Sequence, residues 1–158
     1  MRIAIASDHG GYSLKEALKP FIESLGHEVY DVGTHSTERT DYPLYAVRAI
    51  EKLLRGEVDR AVLICGTGQG MVMVANRFKG VRAALCWDVT TARLSREHND
   101  ANVLALGGRL LGVELAKEIV STWLSTDFTG ERHARRVNAF SDIGGSLEDI
   151  KRVERALS

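Results

Sequence analysis

Neither sign of charge dominates this chain, in which 21 basic residues face 21 acidic ones. Without a global field nothing draws it onto a nucleic-acid backbone or an anionic membrane, so neither is expected as a partner. Any anion must be held by a local cluster. Cysteine is scarce: Cys65 and Cys86 make no disulfide framework, and their separation fits no common zinc spacing. Long apolar runs are missing as well. The start, Ile3-Ala4-Ile5-Ala6, gives way to Ser7-Asp8-His9, far too soon for a signal peptide or a membrane span, and a soluble, cytoplasmic protein is expected. Internal repeats and low-complexity tracts are absent. With 158 residues, 44% of them hydrophobic, a single domain over 1–158 can bury a substantial core.

What is present alternates. Runs rich in Val, Ile, Leu and Ala at 3–7, 28–32, 61–65, 81–86 and 103–106 read as five buried strands. Stretches with helical spacing lie between and after them, at 14–25, 45–54, 71–78, 90–98 and 110–124. Strands alternating with helices predict an α/β fold: a three-layer, Rossmann-like sandwich with a five-stranded parallel sheet and helices on both faces. The two prolines test this pattern. Pro43 suits the first turn of a helix, whereas Pro20 falls inside one and predicts a kink or a late start. Beyond Ser125 the pattern loosens through Thr129–Arg136. A Gly144-Gly145 break then precedes a polar helix at 146–156, opened by Ser146 with Asp149 three positions on, so 141–158 reads as a C-terminal extension.

Chemistry concentrates at Cys65-Gly66-Thr67-Gly68-Gln69-Gly70, between a strand and a helix. Glycines let a backbone turn sharply and approach a ligand, and outward-pointing amides attract anions. The same field favours a thiolate, so one segment offers an anion site and a base. A dinucleotide fingerprint would need a third glycine where Met71 stands, a Walker loop needs a lysine that is missing, and a cysteine phosphatase would want an arginine at Met71. The thiol is better placed as a base than as a phosphoryl nucleophile. The bland reading of Cys65 is a small hydrophobe ending a strand. Cys86, closing the next strand, reads as core, with a redox pair to Cys65 as the rival.

In open α/β sheets ligands bind beyond the carboxyl ends of the strands, where the strand order reverses. Asp8 and His9 follow the first strand, and a flavodoxin-like order would bring them beside Cys65, although Asp8 also reads as a helix cap. His98, in Ser95-Arg96-Glu97-His98-Asn99-Asp100, is either a cap on the helix dipole or an acid–base group working near neutral pH. A helix returning to the sheet ends at the opposite edge from Cys65. If the two share a site, two subunits are expected to supply them. Arg132 and Arg136, four apart with His133 and Arg135 beside them, form either solvated surface or a phosphate clamp, and Arg109 is a third candidate.

Taken in order, Ser7-Asp8-His9-Gly10-Gly11, Arg39-Thr40-Asp41-Tyr42-Pro43, the Cys65–Gly70 loop, Ser95–Asp100 and Gly130-Glu131-Arg132-His133 closely resemble the B-type ribose-5-phosphate isomerases. That group also takes in allose-6-phosphate and galactose-6-phosphate isomerases. The resemblance runs to about residue 140 and implies aldose–ketose interconversion through an enediolate, most directly of ribose 5-phosphate and ribulose 5-phosphate, without a metal or nucleotide cofactor. By matching position, Cys65 would move the proton, with Thr67 and the amides of Gly66, Gly68, Gln69 and Gly70 stabilising the developing charge. Some relatives use a glutamate one residue after the last glycine, where this chain has Met71. His98 would open the sugar ring with Asp8 assisting. His9, Arg109, Arg132 and Arg136 would hold the phosphate, while Asn99 and Tyr42 contact the sugar. Relatives are homodimers or tetramers with sites shared between subunits.

Overall fold

The computed structural model describes all 158 residues. Five parallel strands, β1 (Arg2–Ser7), β2 (Glu28–Asp31), β3 (Arg60–Cys65), β4 (Ala83–Leu85) and β5 (Val103–Gly107), form one sheet in the order β2-β1-β3-β5-β4. The helices are α1 (Tyr12–Ser24), α2 (Tyr42–Leu54), α3 (Gln69–Ala75), α4 (Val89–Glu97), α5 (Val113–Ser125), α6 (Arg132–Phe140) and α7 (Leu147–Leu157). Leu14, Leu18 and Ile22 of α1, Ala92 of α4 and Ile119, Val120 and Trp123 of α5 pack on one face of the sheet. Tyr45, Ala49 and Ile50 of α2 pack with Met71 and Ala75 of α3 on the other. The expected three-layer α/β sandwich is therefore present. No helix is long and apolar enough to cross a membrane.

The order differs from the flavodoxin-like expectation in one respect, since β5 lies inside and β4 at the edge. Burial gives the reason. Every residue of β5 is buried, whereas β4 is three residues long and only half-buried, as suits an edge. β5 thus separates the two cysteine-bearing segments, and two strand spacings are about 10 Å, beyond the reach of a disulfide. The redox-pair reading falls with that. Burial also pushes the Cys86 thiol up, which suits a core residue.

Both prolines can now be placed. Pro43 occupies the first turn of α2. The late start expected from Pro20 does not occur, because α1 runs through it. Pro20 is on the exposed side, where water can take over the carbonyl that loses its partner. The loosened stretch after Ser125 hides α6, and α7 follows as expected, with the Asp149 carboxylate accepting from the amides of Gly144, Gly145 and Ser146. A buried ion pair fixes the end of β2: the fully buried Lys15 donates to Asp31 at 2.6 Å. Burial pushes the Asp31 carboxyl up, but hydrogen bonds from Lys15, Lys19 and the Gly33 amide outweigh it and hold the group below its usual range. Gly33 in turn accepts from the Ser7 amide at 2.7 Å, so the loop entering α2 is fastened to the end of β1.

Candidate active site

Beyond the carboxyl ends of β1, β3 and β5, three loops close on one another. Asp8 caps the 3-10 turn His9–Gly11, its Oδ1 accepting from the amides of Gly10 at 2.9 Å and Gly11 at 3.2 Å. The capping reading of Asp8 therefore holds, and Oδ2 is left without a partner in the chain. The turn lies against the glycine loop, with the Gly66 nitrogen 3.1 Å from where a side chain on Gly10 would begin. From the other side the amides of Gly108 and Arg109 donate to the carbonyls of Cys65 and Gly66 at 2.8 and 2.9 Å. This brings Arg109 Nε to 3.4 Å from the side-chain direction of Gly66. The unexpected central place of β5 is what puts Arg109 here.

Within the loop the Gly68 amide donates to Cys65 Sγ at 3.2 Å and the Gln69 amide to Thr67 Oγ1 at 3.3 Å. The amides of Gly66 and Thr67 have no acceptor within the chain. Gly68 needs its missing Cβ twice over: its φ is 80°, and a Cβ would sit 2.6 Å from Leu85 and 2.9 Å from the Leu106 backbone. At Gly70 the Tyr42 ring fills the side-chain position, 2.5 Å from a notional Cβ. Tyr42 is thereby held over the loop. His9 is aligned by Thr40, whose amide nitrogen and carbonyl oxygen both lie 3.2 Å from Nδ1; when Nδ1 accepts from the amide, Nε2 carries the proton and can donate to an anion. Trp87 is 59% exposed and lines a cavity of about 200 Å³ with Thr67, Gln69 and Leu110.

The other candidates gather at the opposite edge. His98 is the C-cap of α4, and Asn99 follows it on the way into β5. The six residues of β3 put about 17 Å of strand between the two edges. Arg96, 5% exposed, stiffens the turn after His98 by donating to Asp100 at 2.8 Å, to the Ala101 carbonyl at 2.6 Å and to the Thr126 carbonyl at 3.0 Å. Thr129 donates to the Glu97 carbonyl through both its amide and its hydroxyl, at 3.2 and 2.8 Å. That staple brings α6 alongside, where the His133 ring stacks on His98 with centroids 4.2 Å apart and planes 11° from parallel. Arg132 and Arg136 share an exposed face of α6. Arginines in ion pairs occur elsewhere, at Arg2, Arg55, Arg82, Arg93, Arg96 and Arg152, but not at Arg109, Arg132 or Arg136.

One chain thus carries two groups. Asp8, His9, Tyr42, the Cys65–Gly70 loop and Arg109 meet at the carboxyl edge, while His98, Asn99, Arg132 and Arg136 meet at the amino edge. Over residues 3–140 the chain matches the model of the Ribose/Galactose Isomerase family. The chain belongs to that family. Ribose-5-phosphate isomerase B of Escherichia coli (strain K12) is 49% identical over 142 residues, which cover 90% of this chain and 95% of that one. D-erythrulose-4-phosphate isomerase 2 of Mycolicibacterium smegmatis is 44% identical over 131 residues, covering 81% and 86%. The solved structure of Clostridium thermocellum ribose-5-phosphate isomerase B matches with a TM-score of 0.87 at 47% identity, with the whole of both chains covered.

This member of the Ribose/Galactose Isomerase family is accordingly an enzyme, a sugar-phosphate isomerase of the ribose-5-phosphate isomerase type. Sequence reasoning left three contacting residues out of its candidate set: Thr40 against His9, Thr129 against Glu97, and His133 against His98. None of the three is marked by local periodicity, and the burial of His133 with Val137 four positions on is visible only in the folded chain.

Proposed function

We propose that this isomerase interconverts ribose 5-phosphate and ribulose 5-phosphate, as a cytoplasmic homodimer whose sites each combine the carboxyl edge of one subunit with the amino edge of the other. His9 and Arg109 of one subunit, with the partner subunit's Arg132 and the partner subunit's Arg136, hold the phosphate. His98 of the partner subunit takes the proton from the anomeric hydroxyl and returns one to the ring oxygen, assisted by Asp8, and Asn99 of the partner subunit and Tyr42 hold the opened chain. Cys65, as a thiolate, removes the proton from C2 to give the enediolate. The same thiol then delivers a proton to C1 while the hydroxyl proton passes from O2 to O1. The unpaired amides of Gly66 and Thr67, with the Thr67 hydroxyl, stabilise the oxyanion.

The observation that carries this reading is the convergence of the Asp8 turn, Tyr42 and Arg109 on the glycine loop that follows Cys65, whose sulfur accepts an amide hydrogen bond from that loop. The 49% identity to a ribose-5-phosphate isomerase B supports the choice of sugar. A four-carbon substrate is the second reading, favoured by the relative that bears that name. Turnover measured over a panel of four-, five- and six-carbon aldose phosphates decides between them. The highest kcat/KM is expected for ribose 5-phosphate, and a preference for a four- or six-carbon phosphate would contradict the assignment.

A further inference from the structure

Nothing in the reaction as derived above employs His133, yet it is 8% exposed, sits in the first turn of α6 and lies flat against His98. We infer that His133 is a positioning residue, a plate that fixes the plane of the His98 imidazole for the ring-opening proton transfer. The inference rests on the proposed role of His98 in that step. His98 needs such a plate because it caps a helix end, where its backbone is held by one bond to the Leu94 carbonyl at 2.9 Å, and no hydrogen bond holds its ring. A flat partner leaves both ring nitrogens free to exchange protons in the plane, which a hydrogen-bonded partner would not.

The approach of the plate is built into the backbone. Gly130 and Glu131 both adopt positive φ, 70° and 53°, and the second is costly for a residue with a side chain. This reversal, between the Thr129 staple and the start of α6, delivers His133 beneath His98. Burial lowers the tendency of His133 to take a proton, and His98, Arg132 and Arg136 lower it further against a small opposing pull from Glu131. These causes favour the neutral form of the plate.

A substrate that needs no ring opening isolates this role. Ribulose 5-phosphate cannot close a furanose ring because its 5-hydroxyl is esterified, so exchange of its C1 hydrogen with deuterated water reports the Cys65 step alone. In His133→Ala, kcat for ribose 5-phosphate is expected to fall roughly ten- to a hundredfold at unchanged KM, with C1 exchange within twofold of wild type. His133→Phe, which restores a flat neutral ring, is expected to recover most of the loss. Unchanged turnover in His133→Ala would overturn the role, and so would equal losses in both assays, since those would mark His133 as a general structural residue. Absence of any conversion of ribulose 5-phosphate by the wild-type protein would instead overturn the isomerase mechanism, and this inference with it.

Discussion

The two edges of the sheet are organised by different means. At the carboxyl edge the groups are placed by main chain: amides clip the β5 loop to the glycine loop, and Gly66, Gly68 and Gly70 let neighbours approach to contact distance. At the amino edge they are placed by side chains, through the buried Arg96 fan, the Thr129 staple and the imidazole stack. Chemistry explains the division. Charge that develops on substrate oxygens is best met by fixed backbone dipoles that need no reorganisation. Side chains carried on helix ends reach outward, where they can meet a second molecule.

The largest effect is expected at the carboxyl edge. Cys65→Ala should lower turnover by roughly a thousandfold or more, the scale of a lost general base, while calorimetric binding of the substrate persists. Retained activity would remove the carboxyl edge from the proton transfer. At the amino edge the signature should differ: Arg132→Ala is expected to raise KM by about tenfold or more, the loss of one charge-assisted phosphate contact, with a smaller change in kcat. A kcat effect with unchanged KM would contradict a phosphate-holding role for Arg132.

Acidity should mark the amino edge more gently. The folded-state pKa of His133 lies below its ordinary 6.5, through burial and then through His98, Arg132 and Arg136. Between that lowered value and 6.5 the unfolded chain binds the proton more readily than the folded one. The contribution to stability is therefore full above 6.5 and is lost as pH falls. Thermal unfolding followed across this range should show Tm rising with pH, less steeply in His133→Phe. Some slope should remain in the variant, because burial, the N-terminal ammonium and Arg60 also lower His27. An identical slope in the two proteins would contradict the burial argument for His133.

The carboxyl edge was legible in the sequence because its devices are local: a glycine run beside a thiol, and Asp8-His9 at the end of a strand. The adjacency of β1 and β3 followed from those motifs and from the rule that sites form where strand order reverses. The place of β5 did not, since 81–86 and 103–106 are both short apolar runs and periodicity cannot tell a central strand from an edge. Helix α6 was hidden for a related reason. Only His133 and Val137 of its residues are buried, so it lacks the broad apolar stripe that announces a helix. Thr40 and Thr129 act through contacts 31 and 32 residues away in the chain, a distance over which no local pattern speaks.

Mixing two inactive proteins tests the central claim, that each site joins unlike edges of two subunits. Differently tagged Cys65→Ala and His98→Ala chains are combined at equal amounts, and subunit exchange is verified by native mass spectrometry. Half of the dimers are then mixed, and each mixed dimer has one site with both groups intact, so about a quarter of the wild-type activity should return. No recovery after verified exchange would contradict the shared site.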